Sequence, residues 1–517
     1  MGLRNALRHG AVQWTGLFAG PLLALVAFIT LPDTYAGTGG QTVVFSHAGR
    51  ATAALAVWMA VWWLTEAIPV YATALLPLAY LPVARAATIR KAAAPFGHEL
   101  IYLFMGGFII ALAMQRWNLH KRFAYMTLRL VGTRPRPVVA GFMGITAFLS
   151  MWVSNTATTI MMLPIALSVI DVALSHHTGQ SIDQTEEFGG KAGHNFALCL
   201  LLGIAYAASI GGIGTLIGTP PNLFLASYIE DNLGTEISFV RWMGVGVPLV
   251  VVFIPIVWLL LTRILFPIRI DRIEAEGTLT SQAIEDLGPM SRGEWSVFVV
   301  FALTAAAWIF RPLVAKISIG GGHPFAGLTD PGIAIIAALT LFVIPVDARN
   351  REFVMNWRTA VGLPWGLLIL FGGGLSLAAA IRANGVSEFI GSQVAEFAGF
   401  PHFLLVLLVV TMMVLLTELT SNTATTAALV PILAAVAPGL GLSPYLLIVP
   451  AAIAASCAFM LPVATPPNAI VFGSGLVRIG QMVKAGFWLI LIGIGLITLL
   501  TYAIVVPLLI PAGAPLP

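Results

Sequence analysis

Six residues, Ser154-Asn155-Thr156-Ala157-Thr158-Thr159, interrupt a long apolar segment, and the same six letters return at residues 421–426 inside another one. A polar hexamer in lipid is costly, because backbone and hydroxyl groups find no water there. Placing it twice, at an offset of 267 residues (154 to 421), points to one site built from two halves. The surroundings are those of a bilayer. Of 517 residues, 58% are hydrophobic and 9% charged, with a mean hydropathy of +0.94. A soluble domain carries about 25% charged residues.

The offset holds well beyond the hexamer. Phe104 matches Phe371, Gly106 matches Gly373, Gly107 matches Gly374, Ser150 matches Thr417 and Pro164 matches Pro431. A second motif, Thr219-Pro220-Pro221-Asn222, repeats at residues 465–468, an offset of 246 (219 to 465). A duplication of this quality marks internal repeats. The copies differ in charge. Residues 116–136 hold six Lys or Arg and no carboxylate, whereas residues 383–403 hold no Lys or Arg and carry Glu388 and Glu396. Cytoplasmic loops are the cation-rich ones, so the first stretch faces the cytoplasm and the second faces out. The predicted fold is an all-α polytopic membrane protein with inverted-topology repeats, re-entrant helical hairpins, broken helices and about 11 transmembrane helices.

Along the chain, Arg4 and Arg8 precede an apolar run at residues 12–31, read as a retained first span with a cytoplasmic N-terminus. Residues 51–84 are too long for one span and break at Glu66-Ala67-Ile68-Pro69 into two short helices. Residues 116–136 read as an amphipathic helix lying in the interface, ended by Gly132, Pro135 and Pro137, and residues 386–400 as its counterpart. The hexamers read as breaks between the apolar arms 138–153 and 160–170 and between the equivalent arms of the second half. The twin prolines read as breaks in the spans 196–217 and 446–464. Residues 242–266, 295–310, 332–346, 363–381 and 487–509 are further spans, and the polar stretch 273–292 links the halves.

At each break one helix ends in free carbonyls and another begins with free amide hydrogens and the positive end of its dipole. Carbonyl, Asn and Ser/Thr oxygens suit a hard cation such as Na⁺, and amide ends suit a carboxylate or another oxyanion. A lone Thr-Pro-Pro in a span reads as a structural kink. Four breaks in two matched pairs read as a site. No Lys, Arg or His falls inside a hexamer or a TPPN motif, so a bound anion needs Na⁺ for charge compensation. Glu66 and Glu418 are rare carboxylates among apolar runs. They read as a proton or cation relay or as scaffold hydrogen bonding, and the scaffold role is favoured because neither is duplicated.

These residues resemble the divalent anion:sodium symporter family. The twin SNT motifs, the twin TPPN motifs and the stretch WWLTEAIPVYATALLP at residues 62–77 carry the likeness, which spans about residues 50–510. The resemblance implies a homodimer with a scaffold and a mobile transport domain, moving substrate by an elevator motion. It divides the chain into scaffold helices at 1–100, first-repeat transport elements at 101–240, scaffold helices and linker at 241–360, and the second repeat with the last helix at 361–517. One Na⁺ site would use Ser150, Ser154, Asn155 and the backbone at Gly218, and the other Thr417, Thr420, Asn422 and Ala464. The substrate anion would be held by Asn155, Thr156, Asn422 and Thr423, with Thr219, Thr465 and Pro466 nearby. The implied cargo is a C4-dicarboxylate such as succinate or malate with two or more Na⁺, and no organic cofactor. Sulfate symport, or dicarboxylate exchange without net Na⁺ coupling, stays open. The implied location is the inner (plasma) membrane.

Other classes fit less well. No paired acid, Ser/His pair or zinc cluster falls within the spans to support an intramembrane enzyme. Inverted broken helices suit alternating access better than a fixed pore. Basic residues are scattered over short loops, which gives no nucleic-acid surface. Cys199 and Cys457 lie alone in apolar runs as small buried hydrophobes.

Overall fold

Polar residues and prolines decide where the helices of this chain begin and end. The computed structural model describes residues 2–37, 41–123, 126, 132, 134–178, 190–269, 288–319, 322–394 and 399–510, and it is mostly helical. Eight of the described helices are long and apolar enough to cross a membrane, and shorter apolar helices such as Val70–Val83 and Tyr445–Ala454 accompany them.

Helix α1 (Gly2–Thr30) lies along α2 (His47–Thr65). The approach is close because Gly16 and Gly20 face Thr65 and Trp62, where a Cβ would come within 2.0 and 2.6 Å of the nearest atom. Ser46 starts α2 by accepting from Gly49 N at 3.1 Å. Glu66 ends it in the left-handed region, at φ 47°. The expected break at 66–69 is therefore present, but the pieces differ from two short helices. The first is 19 residues long, and the second divides into α3 (Val70–Thr73) and α4 (Leu76–Val83). Two small antiparallel hairpins were not foreseen: Thr34–Ala36 with Thr42–Val44, and Pro345–Asp347 with Glu352–Phe353.

Both kinds of break sit slightly upstream of the motifs that announce them. The first hairpin is Pro135–Ser150 followed by Asn155–Thr178, so the chain turns at residues 151–154 and the hexamer forms the first turns of the second arm. The second hairpin, His402–Thr417 and Asn422–Gly439, turns at residues 418–421. Likewise the prolines do not interrupt helices; they start them. Pro220 and Pro221 open Pro220–Leu233, and Pro466 and Pro467 open Pro466–Phe472. Proline lacks an N–H that the first turn leaves unbonded anyway. The unwound segments are residues 213–219, after Gly190–Gly212, and 455–465, after Tyr445–Ala454.

The duplication extends further than the sequence revealed. Gly106 on Glu99–Arg116 meets the backbone of Ala334 on Asp330–Val343, and its mate Gly373 on Trp365–Ala383 meets the backbone of Ala74; a Cβ would lie 2.7 and 2.1 Å away. Phe104 and Phe371, matched by the offset, touch edge to face at 5.4 Å. A residue that touches its own repeat mate sits on the pseudo-two-fold axis. After each proline-started helix a long helix follows, Phe239–Leu265 and Ile479–Leu509, and each contains a π-helical stretch, Leu260–Leu265 and Thr501–Val505. Gly246 on the first and Gly486 on the second lie against Ile213 O and Phe459 O, each 2.4 Å from an added Cβ.

The expected interfacial helices are only partly covered. Helix is seen at 119–123 and at Val386–Val394, and most of 124–133 and 395–398 lie outside the described residues, as does most of the linker at 273–292. Arg122 of the first binds the buried Glu294 carboxylate at 2.9 Å, tying this segment to Arg292–Val314.

Candidate functional site

Each hairpin turn docks against the unwound segment of its own half. In the first, Ser150 and Asn155 face each other across the turn with Oγ and Oδ1 2.6 Å apart. Ser150 Oγ also donates to Ala208 O at 2.7 Å. The Asn155 amide fits better turned over, with Nδ2 donating to Ser150 Oγ (2.6 Å), Ala208 O (3.1 Å) and Gly218 O (3.3 Å). Three oxygens thus converge on the end of this side chain. With Oδ1 turned inward the set becomes four oxygens, the donor chemistry of a hard monovalent or divalent cation. Gly212 makes the approach possible, since a Cβ there would lie 2.4 Å from Asn155 Oδ1.

The second half repeats the core of this arrangement. Thr417 Oγ1 lies 2.5 Å from Asn422 Oδ1 and 2.9 Å from Ala455 O. Thr420 turns away, donating to Leu416 O at 2.8 Å and lying 2.6 Å from Thr425 Oγ1. No hydrogen bond joins Ala464 to the Thr417–Asn422 pair among the described residues. Of the expected cation ligands, the structure brings Ser150, Asn155 and Gly218 together, and Thr417 with Asn422. Ser154 Oγ caps the second arm, accepting from Ala157 N at 3.3 Å, as Ser421 does from Ala424 N at 3.5 Å.

Thr156 and Thr423 occupy the first turns of the hairpin's second arms, where backbone N–H groups lack helical partners. Thr219 and Thr465 precede the proline-started helices and are buried, while Pro466 is exposed. These helices cross between the halves. Pro466–Phe472 packs against Asn155–Thr178, and Pro220–Leu233 packs against Asn422–Gly439. Each hairpin therefore meets the unwound segment of its own half and the proline-started helix of the other.

Two residues of the repeated motif had no assigned role in the sequence reading. Asn222 Nδ2 donates to Gly212 O, Ile213 O and Thr215 O at 3.1, 3.2 and 2.8 Å. Asn468 Nδ2 donates to Ala458 O and Leu461 O at 3.3 and 3.0 Å. Both are fully buried and staple the unwound segment to the helix that follows it. The signal was available, because the asparagine repeats with the prolines. Glu418 takes up a similar task. Its carboxylate accepts from Phe459 N, Met460 N and Leu461 N at 2.6, 2.9 and 3.1 Å. That is the scaffold role the missing duplicate favoured. Glu66, in contrast, caps through its backbone.

Comparison with known proteins agrees with this construction. The family profile described as the sodium:sulfate symporter transmembrane region matches residues 40–510. The chain belongs to this family of divalent anion:sodium symporters. Among its relatives, a protein named sodium-dependent dicarboxylate transporter SdcS from Staphylococcus aureus (strain bovine RF122 / ET3-1) is 41% identical over 509 residues, covering 98% of this chain and 94% of that protein. The same protein from strain MRSA252 is 41% identical over 507 residues, with the same coverage. Two solved structures share the fold at low identity. The Alcanivorax borkumensis YdaH transporter aligns with a TM-score of 0.55 at 16% identity, over 95% of this chain and 97% of that one. Neisseria gonorrhoeae MtrF aligns with a TM-score of 0.59 at 13% identity, over 96% and 98%. The chain is thus a multi-pass membrane transporter.

Proposed function

We propose that this symporter couples Na⁺ entry to the uptake of a divalent anion, a C4-dicarboxylate such as succinate or malate, across the plasma membrane. The observation that carries the reading is the duplicated pairing of a hydroxyl with an asparagine against broken-helix carbonyls, Ser150 with Asn155 and Thr417 with Asn422. Each pairing is a cation-binding donor set of neutral oxygens. The adjacent helix starts at Asn155 and Asn422 supply amide hydrogens for carboxylate groups. Neither site carries a fixed cation, so Na⁺ makes the local potential favourable for a dianion, and the dianion does the same for Na⁺. That mutual dependence is a coupling free energy.

In this reading Ser150, Ser154, Asn155 and Gly218 hold one Na⁺, and Thr417, Thr420, Asn422 and Ala464 hold another. Asn155, Thr156, Asn422 and Thr423 clamp the carboxylates, with Thr219, Thr465 and Pro466 at the rim. Thr420 and Ala464 require the second turn to close further when Na⁺ binds. The hairpins and broken helices move as one body against the scaffold helices of a homodimer, in an elevator motion. The relatives' name, sodium-dependent dicarboxylate transporter, supports both the ion and the substrate class. The family's description supports sulfate as the alternative cargo.

Uptake of labelled succinate into proteoliposomes, with Na⁺ or choline outside, tests the proposal. The expected outcome is accumulation that requires the Na⁺ gradient, abolished in Asn155→Ala and in Asn422→Ala while both variants elute as folded protein. Uptake of sulfate but not succinate would reassign the substrate. Uptake indifferent to Na⁺ but dependent on internal dicarboxylate would make the protein an exchanger. Full transport by either asparagine variant would remove the site.

A further inference from the structure

A cavity of about 1100 Å³ lies away from both hairpins. It is bounded by the chain from Leu81 to His98, by the last turns of Trp365–Ala383, and by Asp231 and Asn232 at the end of Pro220–Leu233. Its charge is lopsided. Arg85, Lys91 and Arg382 line it against a single carboxylate, Asp231. That carboxylate is already engaged, with His98 Nε2 3.2 Å from Oδ1, and Arg382 donates to the Asp231 carbonyl at 2.7 Å. Arg85 and Lys91 have no ion pair or side-chain hydrogen bond among the described residues. Arg85 is held at the cavity by a left-handed backbone, φ 53°, at the close of α4.

The cavity sits at the Glu99 end of Glu99–Arg116, whose opposite end begins the cation-rich stretch 116–136. If that stretch is cytoplasmic, the cavity opens on the outer face. Short outer loops are poor in Lys and Arg, yet residues 85–91 hold Arg85, Arg90 and Lys91. Cations placed against this bias, unpaired, and gathered at a polar cavity are suited to an anion that comes and goes. Two free cations match the two charges of a dicarboxylate. A helix-end role for Arg85 would need one charge only and would not involve Lys91.

We infer that this cavity is an anion-collecting antechamber, in which Arg85 and Lys91 hold the divalent substrate weakly before it reaches the hairpins. The inference rests on the divalent-anion reading above. The site is exposed, so it raises the local substrate concentration and the capture rate without contributing to the translocation step. Its effect fades as salt shortens the Debye length.

The test is the saturation curve for succinate at fixed Na⁺, with choline chloride varied, taken at both membrane faces. Arg85→Gln with Lys91→Gln is expected to raise KM roughly three- to tenfold at low ionic strength and at one face only, with Vmax unchanged. Arg85→Lys should retain wild-type KM, and Arg90→Gln, which removes a charge outside the cavity, should do the same. An unchanged KM in the double variant at both faces overturns the inference, as does an equal shift in Arg90→Gln. Wild-type dependence on phosphatidylglycerol that the double variant loses, at constant KM, would reassign the cavity to a lipid headgroup and also overturn it. Failure of the wild type to take up any dianion with Na⁺ would instead strike the proposed function, so the two outcomes are separable.

Discussion

In the first half the unwound segment at 213–219 is closed by close backbone approach; in the second the segment at 455–465 hangs on one carboxylate. Both face the same physical demand, since N–H groups freed from a helix inside a membrane must find acceptors. Ile213 N and Gly214 N are satisfied locally, by Ile210 O at 3.1 Å and Gly211 O at 2.9 Å. Gly211 and Gly214 let the hairpin turn press in, with Ala147 O and Met151 Cε 2.4 and 2.5 Å from where a Cβ would stand. Thr215 Oγ1 then donates to Met151 O and accepts from Gly218 N at 3.2 Å. The matching residues of the second half are Cys457, Ala458 and Met460, whose side chains forbid that contact. Glu418, standing where Met151 stands in the first half, instead accepts three N–H bonds across the gap.

The contrast explains why the buried carboxylate of Glu418 has no counterpart at Met151 in the first half. Burying it costs several kcal/mol unless charge-assisted hydrogen bonds compensate, and here three do. It also explains why the two proposed cation sites differ. The glycine-closed half brings Gly218 O to Asn155, whereas among the described residues no hydrogen bond joins Ala464 to Asn422 in the carboxylate-held half.

The largest expected effect is at Glu418. Glu418→Ala leaves one buried and two half-buried N–H groups without their acceptor, a loss of about 3–5 kcal/mol. A thermal melt in detergent should show a large drop, with no transport. Glu418→Gln keeps one carbonyl oxygen, able to hold Phe459 N and Met460 N, and should fall between wild type and the alanine variant. A melting temperature and uptake equal to wild type in Glu418→Ala would break the comparison.

A second test sharpens the role of the glycines. Gly212→Ala forces a methyl group against Asn155 and should raise the Na⁺ concentration for half-maximal uptake about tenfold, equivalent to about 1.4 kcal/mol. The mirror change, Ala458→Gly, should shift it less than about twofold, because nothing there depends on a side-chain clash. Equal shifts in the two variants would mean that both halves close alike. A milder effect than that of Gly212→Ala is expected from Thr215→Val, which removes a hydroxyl bridge worth about 1 kcal/mol and should lower the melting temperature slightly without changing substrate affinity. Abolished uptake in Thr215→Val would instead place that hydroxyl in the cation site.

Much of the site was legible because it is local and written twice. Ser150 with Asn155, and Thr417 with Asn422, lie five residues apart across a single turn, so a motif search reaches them. The exact break points were harder to read. Prolines and hexamers mark helix starts rather than interruptions, and the unwound residues before them carry no signature of their own.

The sequence by itself determined that the chain spans a membrane, that it is two related halves, and which hydroxyl and asparagine recur beside each hairpin turn, because hydropathy, charge bias and duplication are properties of the linear order. Tertiary structure alone decided that Phe104 meets its mate Phe371 on the pseudo-axis and that Gly106 and Gly373 each pack against the opposite half. It likewise decided that Asn222 and Asn468 staple the breaks and that Glu418 holds residues 41 to 43 positions away. Those facts depend on which backbone groups are left unpaired once helices pack, and an unpaired group in lipid takes its partner from space rather than from sequence.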